Sequence, residues 1–332
     1  MSDLVQYWFY FGLCAAAIAL AGPVLAQAGE NISEISGLSQ SWVGLVMLAV
    51  ATSLPELVTG LSAVTIADAP DIAVGDALGS CVFNLMLLVL LDVMSPSEPL
   101  YRRLDQGHSL AAAFGIILIG LVASFILLGH AGFNLRILHI GLATPAIIAL
   151  YLLAMRSLFL HQRATAQPGG KATRRLAGPL LRYTGAALVI LLAGSWLPLL
   201  GVKIAALMGW EQSFMGTIFI AAATSLPEFF VTLAALRIGA VDMAVGNLLG
   251  SNLFDVLVLA FDDMAYRPGP LLGAASIVHV GTGIAAMTMS ALFIVALVFR
   301  SGGRLVGNMG WISLFLVILF LASSWGHSLP VP

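Results

Sequence analysis

Apolar residues in this chain come in long, nearly unbroken runs. Short clusters of glycine, proline and charged residues separate them, and no run alternates polar with apolar in the manner of a half-buried strand. A helix needs about 20 such residues to cross the hydrocarbon core of a bilayer. In lipid its backbone groups must pair within the segment, which favours helix for runs of this length. Ten runs qualify, near residues 5–27, 39–66, 70–95, 107–129, 134–160, 180–200, 210–237, 241–263, 274–299 and 307–325. The pattern predicts an all-α integral membrane protein with ten transmembrane helices. The longest polar stretch, "HQRATAQPGGKATRR" (161–175), divides them five and five. The expected organisation is a first five-helix unit over 1–160, a linker over 161–179 and a second unit over 180–332.

Composition agrees. Of 332 residues, 60% are hydrophobic and 9% charged, where a soluble domain carries about a quarter charged residues. The net charge of −2 says nothing about nucleic acid, no basic or aromatic-rich patch argues for it, and no such partner is expected. Cys14 and Cys81 lie in apolar runs and suggest neither a disulfide framework nor a metal site. The opening "MSDLVQYWFY" lacks the basic segment of a cleaved leader, so the first run is read as a retained helix. If the ten helices alternate in direction, Arg102, Arg103, Arg156, Arg163, Lys171, Arg174, Arg175, Arg182, Arg237, Arg300 and Arg304 collect on one side. Only Arg136, Lys203 and Arg267 collect on the other. The basic side is expected to be cytoplasmic, which puts the linker inside a multi-pass protein of the cell or inner membrane and both termini outside.

The two units repeat one another. "ATSLPEL" (51–57) returns as "ATSLPEF" (223–229), "LAG" at 20–22 returns at 192–194, and "GLSQSW" (37–42) matches "GWEQSF" (209–214), all at an offset of 172. After one extra residue in the first copy, "DIAVGDALGSCVFNL" (71–85) matches "DMAVGNLLGSNLFDV" (242–256) at 171. Five helices per unit is an odd number, so the second copy enters from the opposite face. That is an inverted-topology repeat, an architecture whose ligand sites lie near the midplane where the repeats meet.

The repeated phrases carry oxygen chemistry. On a helix Thr52 and Glu56 share a face, as do Thr224 and Glu228, and in the following helices Ser80 with Asn84 and Ser251 with Asp255. Pro55 and Pro227 lack an N–H and crowd the carbonyls of Ala51 and Ala223, so both are expected to kink their helices and free carbonyl oxygens. The core motifs, 49–84 and 221–255, pool the carboxylates of Glu56, Glu228 and Asp255, the amide of Asn84, hydroxyls and loosened carbonyls. An all-oxygen set suits hard cations, Ca²⁺ or Na⁺, in preference to zinc or copper. No Lys or Arg lies within a helix interior to pair with these acids.

The motif pair "ATSLPEL…GDALGSCVFN" and "AAATSLPEFF…GNLLGSNLFD" resembles the two alpha-repeats of the sodium/calcium exchangers, in the Ca²⁺/cation antiporter superfamily, over roughly 37–95 and 209–263. The resemblance implies Ca²⁺ binding by Glu56 and Glu228 with the carbonyls of Thr52 and Thr224. It implies Na⁺ binding by the same groups with Ser53, Ser80, Ser225, Ser251 and the carbonyls of Ala49 and Ala221, completed by Asn84 and Asp255. The amide at 84 against the acid at 255 fits the potassium-independent branch. Two positions break the repeat: Asp76 stands opposite Asn247, and Cys81 opposite Asn252. Asp76 is a candidate accessory carboxylate, with a place in an aqueous vestibule the preferred reading.

The expected activity is secondary antiport of Na⁺ against Ca²⁺ by alternating access. Crowded carboxylates repel when bare, so loaded forms should cross and the bare form should not. No cofactor and no obligate protein partner are expected beyond the bilayer and the two ions. The first and sixth helices, uncharged between Asp3 and Glu30 and between Arg182 and Lys203, are expected to be the moving pair. The alternative on the same scaffold is a proton-coupled cation antiporter; a passive channel and an intramembrane enzyme fit less well, the latter for want of an H-E-x-x-H or a nucleophile–base pair. Asp92, Asp262 and Asp263 close their helices and are expected to be solvated. The six histidines, at or near helix ends, are expected to be interfacial.

Overall fold

The computed structural model describes residues 2–95, 100–165, 175–209, 221–300, 304–306 and 309–326. Long helices dominate: α1 (Ser2–Ser36), α2 (Gln40–Thr65), α3 (Pro70–Val93), α4 (Gly107–His130), α5 (Ala143–Thr165) and α6 (Ala177–Met208). A helix broken at Ser225, α7 (Ala221–Thr224 and Leu226–Arg237), precedes α8 (Val241–Ala265), α9 (Val278–Phe299) and α10 (Trp311–Gly326). Among the described residues eight helices are long and apolar enough to cross a membrane, and α10 is a shorter apolar helix. Two-stranded hairpins lead into α5 (Arg136–Ile137 with Ile140–Gly141) and α10 (Arg304–Val306 with Met309–Gly310). Much of the linker, 166–174, and the start of the expected seventh span, 210–220, lie outside the described residues.

Local chemistry sets the ends. α1 and α6 each stop at a glycine in the left-handed region, Gly37 (φ 73°) and Gly209 (φ 66°), where a residue without Cβ is preferred. Both helices outrun the apolar stretches that announced them. At 35 and 32 residues they measure about 50 Å, against roughly 30 Å of hydrocarbon. The extra length in α1 is the polar segment 28–36, where Glu30 Oε1 accepts a 2.8 Å hydrogen bond from Gln40 Nε2 at the start of α2. Pro70 opens α3 at a position where its missing N–H costs nothing.

Burial grades the helices by role. In the most apolar window of α8, 89% of residues are buried inside the protein, and in α3 83%, against 28% in α1 and α5. The two repeated motif helices therefore form the centre, with α2, α4, α5, α7 and α9 around them. α1 and α6 pack along each other outside, α1 over α7 and α6 over α2. Glycines allow backbone contact at these crossings: a Cβ at Gly250 would fall 2.1 Å from the Leu45 carbonyl oxygen, and one at Gly44 2.2 Å from that of Met243. On the outer pair, Gly22 faces the Phe230 backbone and Gly194 faces the rings of Pro55 and Pro227.

The expectation for three acids changes here. Asp92, Asp262 and Asp263 are buried, not solvated. Asp92 and Asp263 are each satisfied locally. Asp92 accepts from the Leu100 and Gly310 amides and the Ser313 hydroxyl, and Asp263 from the Leu271 and Gly141 amides and the Thr144 hydroxyl. Each thus pins a hairpin and the first turn of a neighbouring helix. Likewise His108 and His279 are buried, Nε2 of each lying 2.9 Å and 3.0 Å from Asp242 and Asp71, at helix starts. The matching members of these contacts (71 and 242, 92 and 263, 100 and 271, 108 and 279) all differ by 171.

Candidate cation site

The repeated phrases converge midway along α2, α3, α7 and α8. In the first copy the chain stays helical through Pro55, from Ala49 to Thr65, and the irregularity lies just upstream, where Val43–Leu48 winds as a π-helix. In the second copy the helix stops after Thr224 and restarts at Leu226, with Pro227 in its first turn. Proline tolerates that place because the amide it lacks would have had no helical acceptor. The residues matching the π-helical turn lie outside the described residues.

The hydroxyls and acids of one copy are held by the other. Ser53 Oγ donates to Glu228 Oε1 at 3.0 Å, and Ser251 Oγ approaches the same oxygen at 3.4 Å. The Thr52 hydroxyl lies 3.2 Å from the Ala49 carbonyl oxygen, 3.3 Å from Asn247 Oδ1 and 3.4 Å from Ser251 Oγ. In the mirrored arrangement, Thr224 Oγ1 lies 3.0 Å from both the Ala221 carbonyl oxygen and Asp76 Oδ1, and Ser225 Oγ lies 3.3 Å from Ser80 Oγ. Asp76 and Asn247, which break the repeat in sequence, thus accept from the equivalent threonines. Asp76 is buried among these groups and does not line an aqueous vestibule.

Cys81 and Asn252 meet across the middle: the Asn252 amide donates to the Cys81 carbonyl at 3.3 Å, and the Cys81 thiol points at the Asn252 carbonyl. Asn84 Nδ2 donates to Asn252 Oδ1 at 3.1 Å. With its nitrogen engaged there, Asn84 Oδ1 is left without a partner. Asn247, Asn252 and Thr232, which accepts from Asn247 at 3.1 Å, extend the oxygen set beyond the residues the motifs singled out. Asn247 and Asn252 were visible in the sequence only as departures from the repeat.

Glu56, Glu228 and Asp255 are 2%, 1% and 1% exposed. At this convergence five buried oxygens have no hydrogen-bond partner among the described residues: Glu56 Oε2, Glu228 Oε2, Asn84 Oδ1 and both carboxylate oxygens of Asp255. An ionised carboxylate in that condition costs several kcal/mol, and buried polar groups are otherwise almost always paired. Converging, unsatisfied, hard oxygen donors are what a hard cation offsets. Among the described residues no three His, Cys, Asp or Glu side chains form a metal cage by themselves. A cation held here would therefore draw on hydroxyls, amides and carbonyls between the acids. A separate cavity of about 580 Å³, lined by Ser39, Ser41, Asp105, His108 and Asp242, opens at the end of the bundle where α8 begins.

Comparison with known proteins gives the family and the fold. The family described as "Sodium/calcium exchanger protein" matches twice, over residues 6–191 and 179–326. The chain is 28% identical to "Inner membrane protein YrbG" of Escherichia coli, covering 78% of this chain and 82% of that one. It is 25% identical to "Sodium/calcium exchanger MaX1" of Methanosarcina acetivorans, covering 89% and 91%. Solved structures of the sodium-calcium exchanger NCX_Mj share the fold, one soaked with Na⁺ and Sr²⁺ superposing at a TM-score of 0.73 with 21% identity, over 96% of this chain and 98% of that one. The chain is a multi-pass membrane protein, and it belongs to the sodium/calcium exchanger family.

Proposed function

We propose that the protein exchanges Na⁺ for Ca²⁺ across its membrane by alternating access, at a site built from α2, α3, α7 and α8. The single observation behind this reading is the set of five partnerless buried oxygens contributed by both sequence repeats. Glu56 and Glu228 take Ca²⁺ with the carbonyls of Thr52 and Thr224. Na⁺ takes the same groups with Ser53, Ser80, Ser225, Ser251, Asn84, Asp255 and the carbonyls of Ala49 and Ala221. Glu228 fits this role because its Oε1 is oriented by Ser53 and Ser251 while its Oε2 is unsatisfied.

The electrostatics give obligatory exchange. With the site bare, several carboxylates face one another away from water, and that arrangement is costly in ionised form. One Ca²⁺ or several Na⁺ relieve the repulsion and compete for the same oxygens, so only loaded forms close. Ten spans arranged as two inverted five-helix halves, with the 161–179 linker in the cytoplasm, supply the two access routes. α1 and α6 serve as the moving pair. Their packing at Gly22 and Gly194 puts backbone, not interlocked side chains, against α7 and the two prolines, and they carry no charge between Asp3 and Glu30 or between Arg182 and Lys203.

The test is Ca²⁺ uptake into proteoliposomes driven by an outward Na⁺ gradient. Glu56→Gln and Glu228→Gln keep size and one hydrogen-bonding oxygen, so both should yield folded protein with uptake reduced to that of protein-free vesicles. Wild-type uptake in either variant removes that residue from the site. Uptake by the parent chain driven by a pH gradient in sodium-free buffer would assign proton coupling in place of Na⁺.

A further inference from the structure

Beside Asp76, which accepts from Thr224, a second buried acid has no part in this scheme. Asp262 is 0% exposed, and neither of its carboxylate oxygens has a hydrogen-bond partner. Its neighbour Asp263 is held by two amides and a hydroxyl, so burial at this level of α8 does not by itself deny a carboxylate its donors. Asp262 follows Asp255 by seven residues. Two helical turns put both on one face of α8, about 10 Å apart along the axis.

The facing helix makes room for it. Gly60 lies one turn beyond Glu56 on α2, and a Cβ there would fall 2.3 Å from Asp262 Oδ2 and 2.8 Å from Oδ1. The carboxylate thus lies directly against α2 backbone, between the candidate site and the end of the bundle where α2 and α8 finish and α3 begins. The repeat does not reproduce this pair. Position 91, which matches 262, is leucine, and position 232, which matches 60, is threonine. The carboxylates with a bracing role come in matched sets, 71 with 242 and 92 with 263; Asp262 does not, so the scaffold works without it at the symmetric place.

We infer that Asp262 is a cation way-station on one side only, taking up a divalent or monovalent cation between the Glu56–Asp255 level and the membrane face marked by Asp71. This rests on the exchange reading above. A carboxylate in this position offsets the loss of hydration as an ion leaves that face, and it attracts a divalent ion more strongly than a monovalent one. The cation in turn satisfies oxygens that the protein leaves bare.

The experiment is Asp262→Asn in proteoliposomes, with Ca²⁺ titrated separately at each face, beside Glu228→Gln and the parent chain. The expected result is a roughly tenfold rise in half-saturating Ca²⁺ at the Asp71 face, with the opposite face unchanged and thermal stability equal or higher. Stability should not fall because the substitution orphans no partner. Unchanged titrations at both faces, equal changes at both faces, or loss of exchange as complete as in Glu228→Gln would each overturn the inference. So would a variant that no longer folds, since the carboxylate would then be a structural support. Uptake retained by Glu228→Gln would instead refute the central site, independently of what Asp262→Asn does.

Discussion

Placing a single methyl group at Gly250 tests whether the site depends on backbone contact between α2 and α8. In Gly250→Ala the new Cβ would lie 2.1 Å from the Leu45 carbonyl oxygen and 2.7 Å from Ala49 Cβ. The Leu45 carbonyl belongs to the backbone and cannot swing aside, so the helices must part locally to admit the methyl group. One site contact spans this crossing, Thr52–Ser251, already at 3.4 Å, and it does not survive such an opening. Overpacking of this kind costs about 1–3 kcal/mol. If the strain falls on the closed, loaded state, that state is depopulated roughly 5- to 150-fold. The assay is Na⁺-driven Ca²⁺ flux with a parallel melting curve, and Gly185→Ala on α6 is the control, since a Cβ there meets nothing within 4 Å. Flux and melting equal to the parent in Gly250→Ala, with Gly185→Ala equally silent, would refute the argument.

Other outcomes follow from single contacts. Ser53→Ala removes the 3.0 Å donor to Glu228 and a hydroxyl proposed for Na⁺; Na⁺ affinity should fall more than Ca²⁺ affinity in paired titrations, and an equal fall would remove Ser53 from the Na⁺ set. Asp92→Asn weakens three hydrogen bonds to a buried carboxylate, each charge-assisted bond worth about 1.5–3 kcal/mol. It should lower thermal stability by several degrees while leaving the ion dependence of residual flux intact. Tyr183 donates from α6 to the Met47 carbonyl at 2.6 Å, just before the motif of α2. Tyr183→Phe loses about 1 kcal/mol and should shift the balance between positions of α6 about fivefold, read as a change in apparent Ca²⁺ affinity at one face relative to the other.

How far the sequence spoke for the structure depended on whether the determining partners were near in the chain. Apolar runs announced the long helices because a span needs only its own residues. Glu56 and Glu228 stood out in the sequence because acids repeated in matched apolar surroundings have few roles other than facing one another, and Asp255 because it is an acid where the other copy has the amide of Asn84; the structure buries all three. The true lengths of α1 and α6 were hidden. In α1 the polar extension is held by contacts such as Gln40 to Glu30 that hydropathy does not register. Burial of Asp92 and Asp263 was misread because part of what holds them arrives from hairpins far off in sequence. Asp76 was misplaced for a similar reason: Thr224, its donor, belongs to the other copy. The 171-residue spacing of His108 and His279 was a signal that could have revealed their pairing with Asp242 and Asp71.

The reciprocal bonding at the centre constrains how such a chain can have arisen. Ser53 donates to Glu228, Thr224 to Asp76 and Asn84 to Asn252, and Cys81 and Asn252 clasp each other. A severed half would keep Glu228 without Ser53, or Asp76 without Thr224. A progenitor consisting of one such unit would have had to assemble with a second copy of itself. A joined pair leaves each half free to differ, and the amide–acid differences at 76, 84, 247 and 255 are where a linked pair can become unequal while two identical subunits cannot.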